Sequence, residues 1–134
     1  MGEEYILKTE KLEIGYDGIT LVKGIDIAVK KGQIISVIGP NGSGKSTLLK
    51  SLSGQLRPIS GRVYISGMDL NKLSDREISR HMALLLTDRV RTNFMTCYEV
   101  AAMGRYPYTG LFGKLSEKDK EIIKDILKRL KLYD

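Results

Sequence analysis

The stretch SVIGPNGSGKSTLLKSLSG, residues 36–54, decides how the rest of the chain is read. Within it, Gly39-Pro40-Asn41-Gly42-Ser43-Gly44-Lys45-Ser46 meets every fixed position of the pattern G-x-x-x-x-G-K-[ST]. Gly39, Gly42 and Gly44 lack a Cβ, so the backbone can take positive φ and bring N–H groups close to phosphate oxygens. A helix predicted from about Lys45 to Ser53 adds its free first-turn N–H groups and about half a unit of positive dipole charge. Lys45 reaches β- and γ-phosphates as a mobile ammonium, the Ser46 hydroxyl is a hard ligand suited to Mg²⁺, and Thr47 donates to an α-phosphate. The plain alternative, a glycine-rich turn that happens to precede a helix, leaves the complete set of fixed positions unexplained.

The flanks supply the context such a loop requires. QIISVIG, residues 33–39, is nearly continuous apolar sequence rich in Ile, as expected of a strand over 34–38 buried on both faces of a parallel sheet. Upstream, YILKTEKLEIGY (5–16) and LVKGIDIAVKKG (21–32) alternate apolar with polar residues, which predicts an antiparallel sheet with one wet face. Downstream, LRPISGRVYISGMDL (56–70) has a Pro58 turn, a Gly61 stop and an alternating strand from Arg62 to Ser66. Ser74-Asp75-Arg76-Glu77 is a capping box opening a short helix to about His81, and MALLL (82–86) reads as a second buried strand. TCYEVAAMGRYPYTG (96–110) predicts a helix of about eight residues closing at Gly104, with RYPYTGLFG as loop. Ser116-Glu117-Lys118-Asp119 opens a further helix in which Ile122, Ile123, Ile126, Leu127 and Leu130 recur at helical spacing.

Bulk properties narrow the class. A chain of 134 residues, 42% apolar and 28% charged, predicts one domain over residues 1–134 with a core that buries roughly two-thirds of the unfolded surface. No apolar run approaches the ~20 residues that cross a bilayer, and Met1-Gly2-Glu3-Glu4 is acidic rather than leader-like, so a cytosolic protein is expected. Ile6 stands where a myristoylation motif wants Ser or Thr. The 22 Lys and Arg against 16 Asp and Glu give +6, but the basic residues are spread along the chain and mixed with acids, as in SEKDKEIIKDILKRLK, so no nucleic-acid partner is expected. Cys97 is alone and reads as a small buried residue; His81 has no catalytic partner.

Across all 134 positions the chain resembles the N-terminal part of an ATP-binding cassette protein, specifically the ATPase subunits of bacterial or archaeal importers for siderophores, haem or cobalamin. The resemblance rests on Gly15-Tyr16, on GPNGSGKSTLL (39–49), on Leu56, Pro58 and Gly61, and on YEV…GRYPYTG (98–110). GRYPYTG, residues 104–110, is the part that points to iron-complex and cobalamin importers rather than to exporters or sugar importers. Members of the family carry an aromatic about 23 residues before the phosphate loop that stacks on adenine, and Tyr16 occupies that place.

This resemblance implies an α/β P-loop NTPase fold: an antiparallel β subdomain, an incomplete parallel-sheet core, and the start of a helical subdomain at about 95–134. It implies ATP and Mg²⁺ as ligands, a second cassette subunit as partner in a homodimer, and a cytoplasmic position on the inner face of the cell membrane. It also implies docking of transmembrane permease subunits at about residues 87–108, with Tyr98, Tyr106 and Tyr108 as contacts.

Three departures accompany the resemblance. Where the family places a glutamine after the strand ALLL, this sequence has Thr87 and then Asp88. Thr87 is a shorter oxygen ligand and Asp88 is one residue out of register, although some members carry Leu-Thr-acid-Arg here. LLLTD also fits an acidic strand of another small P-loop NTPase with Asp88 as Mg²⁺ ligand, a reading that GRYPYTG opposes. Leu52-Ser53-Gly54-Gln55 imitates the family's LSGGQ signature but lacks a glycine, and Gly54 falls just past a helix end, where an αL cap belongs. The true signature, the acidic strand with the catalytic glutamate and the switch histidine all lie beyond Asp134 in the family pattern. The chain alone is therefore expected to bind Mg-ATP without turning it over, while its full-length parent couples hydrolysis to uptake. The alternative is a non-catalytic truncated cassette that acts only by association.

Overall fold

The computed structural model describes residues 5–85, 94–110 and 112–132. It contains two compact units, Met1–Leu84 and Leu85–Asp134.

The first unit is built on an antiparallel sheet of β1 (Tyr5–Tyr16), β2 (Ile19–Ile25), β3 (Ala28–Lys30), β4 (Ser60–Ile65) and β5 (Met68–Asp69). The order is β2-β1-β4-β5, with β3 also paired to β1. Asp17 (φ 50°) and Gly18 (φ 78°) form the two-residue turn between β1 and β2, an Asp-Gly pair whose positive φ values match the right-handed twist of a hairpin. The strand expected over 21–32 is divided between β2 and β3. Thr9 explains the division: its hydroxyl donates to the Ile25 carbonyl and accepts from Ile27 N–H, both at 2.8 Å, replacing ladder bonds where the neighbouring strand breaks.

A bulge on β1 sets which side chains face inward. Glu10 pairs with Arg62 and Glu13 with Ser60, so β1 carries one residue more than β4 between these points. The extra residue inverts the alternation, and Leu7 before it joins Leu12 and Ile14 after it on the core side. Gly61 permits this approach, since a Cβ there would stand 2.4 Å from the Lys11 carbonyl oxygen.

Helix α1 (Lys45–Leu52) lays Leu48 and Leu52 on the sheet residues Leu12, Ile14, Val63 and Ile65, with Leu70 closing the cluster. The helix caps at Ser53, and Gly54 follows at φ 78°. Gly54 is thus the left-handed residue after a helix end, and LSGQ is no signature. Helix α2 (Asp75–His81) begins with the Ser74–Glu77 capping box in full.

Two expected strands are not found. Residues 34–38 form no strand, with Ile34 94% and Ile38 92% exposed, and residues 82–85 form none either, with Leu85 96% exposed. A strand buried on both faces must satisfy its N–H and C=O groups through neighbouring strands, and no described residue pairs with either segment. Leu86 lies outside the described residues.

The second unit packs helix α3 (Cys97–Met103) against helix α4 (Glu117–Arg129). Both start with complete capping boxes, Thr96–Glu99 and Ser116–Asp119. Between them, where a loop was expected, Tyr106–Tyr108 forms a 3₁₀ turn with Pro107 buried inside it. Cys97 is exposed rather than buried, because it sits on the first turn of a helix that buries none of its residues. In α4, Ile123 and Leu127 are buried while Ile126 and Leu130 face outward, so the buried stripe is narrower than the apolar pattern.

Candidate functional site: the phosphate loop

The loop of residues 39–44 enters α1 through Gly44, whose φ of 91° only glycine adopts without strain. Gly44 also lies against β2: a Cβ there would stand 2.9 Å from Val22 Cγ2 and 3.2 Å from Leu21 Cδ2. Gly42 takes φ 82°, and a turn bond from Ser43 N–H to the Pro40 carbonyl (3.3 Å) closes the bend.

The start of α1 differs from the other α-helices among the described residues. Those begin with a hydroxyl that accepts a first-turn N–H and with an acidic residue in the first turn. Their carboxylates are held below the ordinary range: at Glu77 by the Ser74 hydroxyl and N–H, at Glu99 by the Thr96 N–H and hydroxyl. Helix α1 has neither a side-chain cap nor an acid in its first turn. Its N-terminal partial charge is therefore left for an anion.

Lys45 folds back over the loop, its ammonium donating to the carbonyls of Gly39 (2.7 Å) and Pro40 (2.6 Å). Ser46 presents its side chain at the surface, while Thr47 is buried, its hydroxyl 3.4 Å from that of Tyr16. Leu21, Asn41, Gly42, Gly44, Lys45, Ser46 and Thr47 line an open pocket of 260 Å³. That is below the roughly 300–1,000 Å³ of pockets that enclose a whole ligand, as suits a cradle that grips only the phosphate end. Among the described residues no carboxylate lines it. The donor set suits a polyphosphate, and the Ser46 hydroxyl would offer Mg²⁺ one hard oxygen.

The structure thus brings Tyr16, Gly42, Gly44, Lys45, Ser46 and Thr47 together. Gly39, Pro40, Asn41 and Ser43 form the turn that shapes the loop. Thr87 and Asp88 lie outside the described residues.

In the second unit Tyr98, Tyr106 and Tyr108 are 37%, 68% and 48% exposed. The sequence reading missed how this segment is held. Arg105 Nε and Nη2 each lie 2.8 Å from Asp119 Oδ1, and the guanidinium stands 4.1 Å from the centre of the Tyr108 ring. The Ser116 hydroxyl and N–H, and then Arg105, hold the Asp119 carboxyl down at about 2. Sequence offered no signal for an Arg–Asp pair 14 positions apart; the Thr96-x-x-Glu99 box was legible as T-x-x-E and went unread.

Residues 22–134 match the sequence pattern of the family described as ABC transporter. An uncharacterized ABC transporter ATP-binding protein of Methanocaldococcus jannaschii is 47% identical over 118 residues, 88% of this chain and 41% of that protein. The iron(3+)-hydroxamate import ATP-binding protein FhuC of Bacillus subtilis is 40% identical over 118 residues, 88% of this chain and 44% of that protein. Among solved structures, cbiO1 from Clostridium perfringens, part of the ABC transporter complex cbiONQ, superposes with a TM-score of 0.74 at 29% identity, over 97% of this chain and 52% of that one. The chain spans under half the length of these two curated relatives.

Proposed function

This chain belongs to the ABC transporter family, and on that premise we propose that it is the nucleotide-holding part of an importer's ATP-binding subunit. One observation carries the reading: α1 starts at an uncapped Gly44 with Lys45 and Ser46 beside it, while the other described α-helices have neutralised starts. Residues 39–44 wrap the β- and γ-phosphates with backbone N–H groups, Lys45 leaves its loop carbonyls for phosphate oxygens, and Thr47 turns its hydroxyl to the α-phosphate. Tyr16, half exposed beside Thr47, receives the adenine on its ring face. Ser46 would hold Mg²⁺, which when bound would supply neutralisation of phosphate charge.

The imported cargo belongs to the iron–siderophore, haem or cobalamin class. GRYPYTG and the likeness to FhuC and to the ferric enterobactin transport ATP-binding protein FepC of Escherichia coli, 33% identical over 117 residues, support the iron–siderophore member. Among the described residues no helix is long and apolar enough to cross a membrane. The subunit pairs with a second copy and lies on the inner membrane face against permease subunits, with residues from about 95 onward opening the helical subdomain that meets them.

Hydrolysis needs a group that orients the attacking water, and among the described residues that line the pocket there is no carboxylate to do so. The test compares ATP hydrolysis by the full-length protein and by the 134-residue chain, each with its Lys45→Ala variant. Lys45-dependent turnover in the full-length protein alone is expected. Lys45-dependent turnover by the short chain would overturn the division of labour.

A further inference from the structure

We propose that Arg105 is a positioning residue that sets Tyr106 and Tyr108 for docking on the membrane subunits; this rests on the docking reading above. Asp119 divides its carboxylate between two tasks. Oδ2 accepts from the Ser116 N–H (3.0 Å) and hydroxyl (2.5 Å) and closes the start of α4, while Oδ1 takes Arg105. The pair is largely shielded from solvent, with side chains 20% and 9% exposed. Anchored at its far end, the guanidinium presents a planar face to Tyr108 and leaves the ring about half exposed.

The turn between is also fixed. Tyr108 N–H donates to the Arg105 carbonyl (2.9 Å), and the Thr109 N–H and hydroxyl both donate to that of Tyr106 (3.2 and 3.0 Å). Buried Pro107 anchors it. The Tyr108 ring and the backbone that carries Tyr106 are therefore held in place before a partner arrives, which removes ordering entropy from association. The partner surface that fits them is an apolar helix with hydrogen-bonding groups at its edge, such as a cytoplasmic helix of a permease.

Lysine cannot replace this arginine. Its compact ammonium reaches one carboxylate oxygen but offers neither a rigid fork nor a flat face for Tyr108. A role limited to tying the turn to α4 is met by lysine; a role in aiming the tyrosines is not.

The experiment uses the full-length subunit and its purified membrane subunits in nanodiscs, measuring docking affinity and melting midpoint for Arg105→Lys, Ser116→Ala and the Tyr106→Ala/Tyr108→Ala double variant. Arg105→Lys is expected to melt close to the parent yet dock roughly five- to tenfold more weakly. Ser116→Ala, which removes a cap and spares Arg105, is expected to melt lower and dock within about twofold. Unchanged docking by Arg105→Lys, or equal weakening by Ser116→Ala, overturns the positioning role. Unchanged docking by the tyrosine double variant overturns the docking reading itself.

Discussion

Tyr16 and Thr47, 31 positions apart in the chain, meet hydroxyl to hydroxyl at 3.4 Å beside the phosphate loop. The last residue of β1 and the first turn of α1 thereby hold an aromatic ring and a buried hydroxyl at one place. Tyr16→Ala should weaken ATP binding on the order of tenfold, the roughly 1–3 kcal/mol of a base–aromatic stack. Tyr16→Phe, which keeps the ring, should stay within about threefold. Calorimetric titration of both variants distinguishes stacking from mere packing.

Ser46 is the hydroxyl exposed at the helix start. Ser46→Ala should bind ATP with the same affinity in the presence and absence of Mg²⁺, whereas the parent should bind more tightly with the ion. Titrations with ATP in excess Mg²⁺ and in EDTA provide the check.

The loop glycines are not equivalent. Gly42 and Gly44 both have positive φ, but a Cβ at Gly42 meets open space while one at Gly44 meets Val22 and Leu21. Gly42→Ala should cost about 1–2 kcal/mol for its left-handed backbone. Gly44→Ala should cost more, about 2–4 kcal/mol, because the clash adds to the strain. Urea unfolding of the two variants orders them.

Asp119 gives a pH dependence of known sign. Its carboxyl titrates at about 2 rather than at its ordinary 3.8, so it binds protons less readily folded than unfolded. Its contribution is complete above about pH 3.8 and is lost as pH falls through about 2. The stability difference between the parent and Asp119→Asn should therefore be constant at higher pH and shrink across that window, followed by helical circular dichroism.

Much of this was legible because it is local. The phosphate loop, the Ser74 and Ser116 boxes and the Gly54 helix end each depend on residues within a few positions of one another. What was misread depends on distant partners. Ile34–Ile38 has the composition of a buried strand, but a strand exists only when another pairs with it, and composition does not state which residues do. The break between β2 and β3 turns on Thr9, and the brace on Arg105 turns on Asp119, contacts that periodicity cannot show. The expectation of a buried Cys97 rests on the general tendency of cysteine, which its place on an exposed first turn overrides.

The central claim, that residues 39–47 hold Mg-ATP, is tested most directly by the melting midpoint of the 134-residue chain with and without Mg-ATP, beside Lys45→Ala. A ligand that binds only the folded state stabilises it by RT ln(1 + [L]/Kd), about 2.7 kcal/mol at a hundredfold excess over Kd. The account predicts a midpoint that rises with Mg-ATP in the parent chain and stays put in Lys45→Ala. No rise in the parent, or an equal rise in both, would contradict it.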